Sequence, residues 1–150
     1  MESEYLNLLR LFHAEGVEYV VVGGYAVIAH GFPRTTGDID ILVRPTVDNA
    51  ARVIRALVSY GFVNQEFEET DFLTTPNFLS FSRNDSWIDL MTQLLGVTFE
   101  ECAADTLLVE IAGVPVRYIN LPALRKAKAA TRRPQDLQDL ENLPFPDFTV

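Results

Sequence analysis

Between Asp38 and Val43 the chain runs Asp, Ile, Asp, Ile, then Leu and Val. A period of two belongs to an extended strand with one covered face and does not fit a helix. Asp38 and Asp40 then project from one face, while Ile39, Ile41 and Val43 point the other way into a core. Aspartate is a poor strand former, and like charges on one face repel. The arrangement makes physical sense with a divalent cation between the carboxylates. Taken alone, the D-x-D reads more readily as a turn at Gly37-Asp38 followed by a solvated edge.

What surrounds this strand limits the fold further. Glu4 to Glu15 carries Tyr5, Leu8, Leu9 and Phe12 at helical spacing and ends at Gly16. Tyr19 to Val22 reads as a short buried strand. Gly23-Gly24 breaks it, and Tyr25 to His30 reads as a short helix closed by Gly31. After Pro45, Val47 to Tyr60 is amphipathic, with Val47, Ala50, Ala51, Ile54, Leu57 and Val58 assigned to the core face and Gly61 to the C-cap. Asn77–Arg83 and Ser86–Thr92 flank the turn Asn84-Asp85, and Leu107–Ile111 and Val114–Ile119 flank Ala112-Gly113; both read as hairpins. Phe99 to Ala104 reads as a helical turn. Pro122 opens a helix to Ala130, and Asp136 to Leu143 forms the last one. The order is α, β, α, β, α, then hairpins, then two helices. That is not the regular alternation of a doubly wound fold. It predicts an α+β fold, a central mixed β-sheet with helices packed mainly on one side. No repeat or linker divides the chain, so residues 1–150 are expected to form a single domain. The tail LPFPDFTV reads as an apolar strap on that domain, with docking to a partner as the alternative.

Composition excludes several classes. With 150 residues, 48% apolar and 22% charged, the chain is neither a disordered tail, a collagen-like fibre nor a coiled coil. The single cysteine, Cys102, leaves no internal disulfide framework and no Cys-based zinc site. The start MESEYLNLLR has no apolar h-region, and the nearly apolar run Tyr19–Phe32 is short for a spanning helix and is interrupted. A cytoplasmic protein with no membrane partner is expected. The net charge of −9 disfavours nonspecific nucleic-acid binding. Six of the twelve basic residues nevertheless lie between Arg117 and Arg133, where a local patch could hold phosphates.

Two features change the weight of the D-x-D. Gly23-Gly24, between a strand and a helix, allows close backbone approach by a ligand, and a helix start favours phosphate. Asp89, inside the apolar strand Ser86–Met91, is costly to bury unless paired or metal-bound; otherwise it is an ordinary outward-facing residue. Three carboxylates beside a phosphate cradle describe a two-metal phosphoryl-transfer site. Tyr25, just after the glycines, could reach a base or sugar. His13 and Cys102 read as structural, as does His30 at a helix C-terminus. Arg132 and Arg133 read equally as phosphate ligands or as partners of Asp136 and Asp139.

The stretch GGYAVIAHGFPRTTGDIDILV resembles the signature of the DNA polymerase β-like nucleotidyltransferase superfamily: a G-[GS] pair, a spacer, D-x-D on a strand and a third acid on a later strand. Within it, the chain most resembles small bacterial nucleotidyltransferases of the AbiEii toxin-like group. Gly23, Gly24, Arg34, Thr36, Asp38 and Asp40 match there, as do Lys128, Arg133, Pro134 and Asp136 in a late K-x-x-x-x-R-P-x-D segment. The resemblance spans residues 17 to 143 and lacks the larger C-terminal domain of the longer toxins. It implies a minimal nucleotidyltransferase fold and the transfer of an NMP from an NTP to an acceptor hydroxyl, with Mg²⁺ or Mn²⁺ as cofactor. Asp38, Asp40 and Asp89 would be catalytic and metal-binding; Gly23, Gly24, Arg34, Thr36 and Lys128 would bind nucleotide. The acceptor is left open among a small molecule, a protein side chain and a tRNA end, and a toxin–antitoxin partner protein is implied as possible. The alternative function is a noncatalytic nucleotide- or partner-binding module on the same fold.

Overall fold

A computed structural model describes residues 1–63 and 66–145. Its elements are α1 (Ser3–Glu15), β1 (Tyr19–Val22), α2 (Gly23–Ala29), β2 (Asp38–Val43), α3 (Val47–Tyr60), β3 (Phe78–Arg83), β4 (Ser86–Met91), α4 (Phe99–Ala103), β5 (Leu107–Ile111), β6 (Val114–Tyr118), α5 (Leu121–Thr131) and α6 (Pro134–Asn142). A 3₁₀ turn at Glu69–Phe72 precedes β3 and has no counterpart in the sequence reading. The six strands form one sheet in the order β3-β4-β2-β1-β6-β5. It is mixed: β2 runs antiparallel to β1 and parallel to β4, and β1 runs parallel to β6. The helices pack on one face, with α1 lying against α3, β6 and β4.

Period two in β2 works as the alternation requires. Ile39, Ile41 and Val43 are fully buried, and Ile88 and Leu90 of β4 lie in the same core. Each such side chain stabilises the fold by about 1.5–3 kcal/mol relative to exposure. Both predicted hairpins form. Asn84 and Asp85 have φ of 50° and 64°, and Ala112 and Gly113 have 50° and 80°. Positive φ at both central residues gives a turn whose twist matches that of the flanking strands.

Two readings shift. α2 begins at Gly23 itself, so the glycines open the helix rather than precede it. The buried face of α3 is Asn49, Ala50, Val53, Ala56, Leu57 and Tyr60, whereas Val47 and Val58 are exposed. Asn49 decides this rotation. Its Oδ1 accepts the Glu18 N–H at 2.7 Å, and its Nδ2 donates to the carbonyls of Glu18 and Arg44 at 3.0 and 2.9 Å. A fully buried amide is tolerated there because it completes backbone bonds at the start of β1 and the end of β2. Residues 146–150 of the expected apolar strap lie outside the described residues; of the preceding stretch, Leu143 is buried and Phe145 is exposed beneath the Arg125 guanidinium. No helix among the described residues is long and apolar enough to cross a membrane.

Candidate active site

Asp38, Asp40 and Asp89 converge. Parallel pairing of β2 with β4 sets Asp40 opposite Asp89, so all three carboxylates leave the same sheet face. One oxygen from each lies within 4.8 Å of the others. Asp89 is buried, and Asp38 and Asp40 are partly exposed. Burial, followed by the Asp89 carboxyl, pushes the Asp38 carboxyl up to about 6. Burial, then Asp38 and Asp89, pushes Asp40 up to about 7, against an opposing pull from the Lys128 ammonium. Three clustered oxygen donors, with Asp38 and Asp40 resisting ionisation, suit a hard divalent cation.

Burial, together with that repulsion, gives a pH signature. In the metal-free protein, Asp38 and Asp40 hold protons to a higher pH than in the unfolded chain. The folded state therefore binds more protons between about pH 4 and 7, and stability falls as pH rises through that window. Asp136 and Asp139, held below the usual carboxylate range, lose their contribution only at more acidic pH. Thermal melts in chelator should show a Tm lower at pH 8 than at pH 5.5 by about a few degrees. Asp40→Asn should flatten that dependence; an equally steep curve in the variant would place the effect elsewhere.

The acids lie in the wall of a cleft of about 590 Å³, which also includes Gly23, Lys128, Arg133 and Asp136. Gly23 has φ +65°, and a Cβ there would collide with the Asp40 carboxylate. Glycine at this position lets the backbone at the start of α2 sit against the acid. Gly24 serves differently. Its missing Cβ makes room for Thr36, whose Oγ1 would lie 2.5 Å from it, and for the Arg34 guanidinium. Thr36 Oγ1 donates to the Asp38 carbonyl at 3.2 Å, fixing the entry to β2. Of the expected nucleotide-binding residues, Gly23 and Lys128 line the cleft; Gly24, Arg34 and Thr36 form a group behind the start of α2.

Both expected phosphate-binding cations are engaged by α6. Lys128 is 7% exposed and lies 2.9 Å from Asp139 and 3.2 Å from Asp136. Arg34 meets Asp139 with two nitrogens, at 2.9 and 3.1 Å. Asp139 is fully buried, and Gln135 donates to it at 2.8 Å. For Asp136 and Asp139 burial alone would raise the pKa, but the hydrogen bonds of these cations and their neighbours hold both low. Sequence reasoning offered Asp136 and Asp139 as partners for Arg132 and Arg133. Arg133 does pair with Asp136, at 2.9 Å, whereas Asp139 serves Arg34 and Lys128. The available signal was the three-residue spacing of the two acids, which puts them on one helix face.

The other candidates resolve into structural roles. His30 donates to the Ile119 carbonyl at 2.7 Å. Tyr25 packs edge-on against Tyr5 and does not line the cleft. Cys102 is buried, which raises its thiol to about 12. The basic residues between Arg117 and Arg133 do not form one patch. Lys126 pairs with Glu101 at 2.9 Å, Arg125 donates to the Leu140 carbonyl at 3.1 Å, and Lys128 and Arg133 turn to α6. Sequence reasoning also missed the apolar part of the cleft, formed by Phe78, Met91, Leu94, Leu95 and Leu124.

Comparison with protein-family models and with curated proteins gives no significant match. Solved structures do match. TM1012 from Thermotoga maritima, assigned as a nucleotidyltransferase, superposes with a TM-score of 0.61 at 20% identity, covering 94% of this chain and 92% of that one. The solution structure of the antibiotic-resistance factor ANT(2'')-Ia gives 0.57 at 15% identity, covering 93% and 80%. An antigenic nucleotidyltransferase-like protein from Paracoccidioides brasiliensis gives 0.54 at 14%, covering 94% and 76%. The chain has a nucleotidyltransferase fold. On the nucleotidyltransferase fold of this chain, the acidic cluster occupies β2 and β4, and the cleft beside it is closed by α5 and α6.

Proposed function

We propose that the chain is a metal-dependent nucleotidyltransferase that moves an NMP group from an NTP to an acceptor hydroxyl and releases pyrophosphate. One observation carries this reading: Asp38, Asp40 and Asp89 come within 4.8 Å of one another in the wall of a cleft that also contains a lysine. Asp38 and Asp40, with Asp89, would hold Mg²⁺ or Mn²⁺. A bound ion of this kind offsets the carboxylate repulsion and neutralises phosphoryl charge. The chain's own residues position the substrates. The Gly23 backbone, held close against Asp40 in the cleft wall, would face the nucleotide. Lys128 offers positive charge to the leaving phosphates, and Arg34 supports it from behind through Asp139. Asp89 accepts the proton of the acceptor hydroxyl at a carboxylate oxygen. Phosphoryl transfer asks little more of a protein than positioning and charge neutralisation.

The AbiEii toxin-like assignment is finer. It rests on Gly23, Gly24, Arg34 and Thr36 ahead of the acids, and on Lys128, Arg133, Pro134 and Asp136 after them. It brings with it a toxin–antitoxin partner protein and a small-molecule, protein or tRNA acceptor. A second reading, a noncatalytic binding module, is favoured by one observation: Arg34 and Lys128 are already neutralised by buried acids.

The test is incubation with each α-labelled NTP, Mg²⁺ and candidate acceptors, followed by tracking of the label. The enzyme reading expects label on an acceptor, lost when Mg²⁺ is chelated. Nucleotide binding without release of pyrophosphate under any condition supports the binding module instead.

A further inference from the structure

The Asn77 carbonyl accepts the Thr92 N–H at 3.1 Å, so Asn77 turns its backbone toward β4. In an antiparallel ladder, inward-facing residues alternate with outward-facing ones. Leu79, Phe81 and Arg83 therefore also face β4, and the backbone groups of Phe78, Ser80 and Ser82 point out from the edge of the sheet. The Phe78 N–H is held by Asn77 Oδ1 at 3.0 Å; among the described residues no hydrogen bond reaches the N–H or carbonyl of Ser80 or Ser82.

This edge carries none of the usual guards against pairing: no proline, lysine, acid or bulge lies between Phe78 and Arg83. In a chain of net charge −9, it is a surface where two copies approach with little repulsion. The opposite edge differs. Counted from the Ala112-Gly113 turn, β5 turns out Leu108 and Glu110, and pairing it with its own copy would bring two Glu110 carboxylates onto one face.

The outward residues of β3 are symmetric about Ser80. An antiparallel second copy centred there sets Ser80 opposite Ser80 and Phe78 opposite Ser82, so every outward N–H and carbonyl of these residues meets its complement. The side chains match as well. Phe78 and Trp87 are 58% and 50% exposed on the face of the three carboxylates, opposite Met91 and Ser82. Each row across the joined sheets then reads Trp87, Ser82, the partner's Phe78 and the partner's Met91. The small serine lies between two exposed aromatic rings and lets them meet above it. On the other face the half-buried Leu79 falls opposite the partner's half-buried Phe81. Asp89 and its counterpart are three strand spacings apart, about 14 Å at the backbone. That exceeds the screening length of about 8 Å at physiological salt, so the two acid clusters act on each other weakly.

We propose that β3 is the edge of a two-fold homodimer, paired antiparallel with β3 of a second copy about Ser80. The two six-stranded sheets run on as one, and both clefts open on the same face. Phe78 belongs to the cleft wall, so each copy borders the other's cleft. The pairing does not depend on the reaction in that cleft. A contact of one strand pair is at the small end of specific interfaces, below about 1,200 Å² in total, so the dimer exchanges with monomer at micromolar concentrations.

Sedimentation velocity of the full chain from about 1 to 500 μM should show conversion to a species of twice the mass. Trp87 emission should shift over the same range, since the chain has one tryptophan. Ser80→Pro removes an outward N–H that the monomer does not use, so it should fold with a near-wild-type melting curve and stay monomeric. Trp87→Ala should raise the dimer Kd by about tenfold. Cysteines test the register, because Cys102 is buried and does not compete. Ser80→Cys should cross-link to itself under mild oxidation, at a Cα separation of about 5.5 Å. Phe78→Cys and Ser82→Cys should each fail to cross-link alone and should cross-link when mixed. A wild type that stays monomeric at the highest concentration overturns the proposal and leaves the edge to a strand of a different protein. So does a dimer whose Kd is unchanged in folded Ser80→Pro, or one in which Ser80→Cys does not cross-link. If Ser80→Pro does not fold, the cysteine results decide alone.

Discussion

Asp89→Asn is expected to bind NTP nearly as well as the wild type and to transfer it slower by a factor of about 10²–10⁴, the usual contribution of a positioned acid–base group. The asparagine keeps the size of the side chain and its place opposite Asp40 but loses the proton acceptor. Asp40→Asn is expected to fail earlier. It removes a carboxylate from the strand that carries two of the three acids, so the rise in Tm on adding Mg²⁺ with NTP should disappear. Calorimetry for nucleotide affinity, single-turnover rates and melting curves with and without chelator separate the two. Full activity in Asp89→Asn would remove the third acid from the site. Two alternative acids are already employed: Asp71 accepts the Glu68 N–H at 2.9 Å to cap the 3₁₀ turn, and Asp85 lies in the β3–β4 turn at φ 64°.

The second large effect falls on stability. Asp139 is buried against Arg34 and Lys128, and removing one member of a buried ionic group leaves the others uncompensated. Asp139→Ala is expected to cost about 3–5 kcal/mol, or about 10 °C in Tm. Urea unfolding of wild type and variant gives the difference directly. A loss below about 1 kcal/mol, the range of an exposed pair, would mean that the three groups are solvated rather than buried together. This bond also changes how a Lys128 variant is read. Lys128→Ala strips a partner from Asp136 and Asp139 as well as a charge from the cleft, so weaker nucleotide binding by that variant has two causes. Comparing its Tm with its NTP affinity keeps them apart.

Much of the fold is written locally in the chain. β1, β2, α3 and β5 begin and end at Tyr19–Val22, Asp38–Val43, Val47–Tyr60 and Leu107–Ile111, as their periodicity and flanking breakers require. The convergence of Asp38 and Asp40 follows from the pleat alone. Less local features were not legible. Which strands neighbour each other depends on pairing between distant segments, which no periodicity encodes. The face of α3 was misread because hydropathy put Val47 and Val58 inside and could not know that Asn49 would find three backbone partners. Asp139 was assigned to nearby arginines because its actual partners include Arg34, at the other end of the chain. The sequence marks Gly23 as a chain breaker and a place where a ligand approaches the backbone; its close approach to the Asp40 side chain is visible only in three dimensions.

The three site acids are held by two different kinds of spacing. Asp38 and Asp40 are separated by the covalent repeat of one strand, about 6.6 Å between Cα atoms. Asp89 reaches them only through the hydrogen-bonded ladder between β2 and β4, which joins segments on either side of α3 and the turn that follows it. A denatured chain keeps the first spacing and loses the second. The full donor set is thus a property of the folded state alone, and every increment of affinity for a cation is also an increment of folding free energy. On the proposed reading, occupancy of the site and stability of the sheet would then rise and fall together, and removing the ion would lower the stability of the fold.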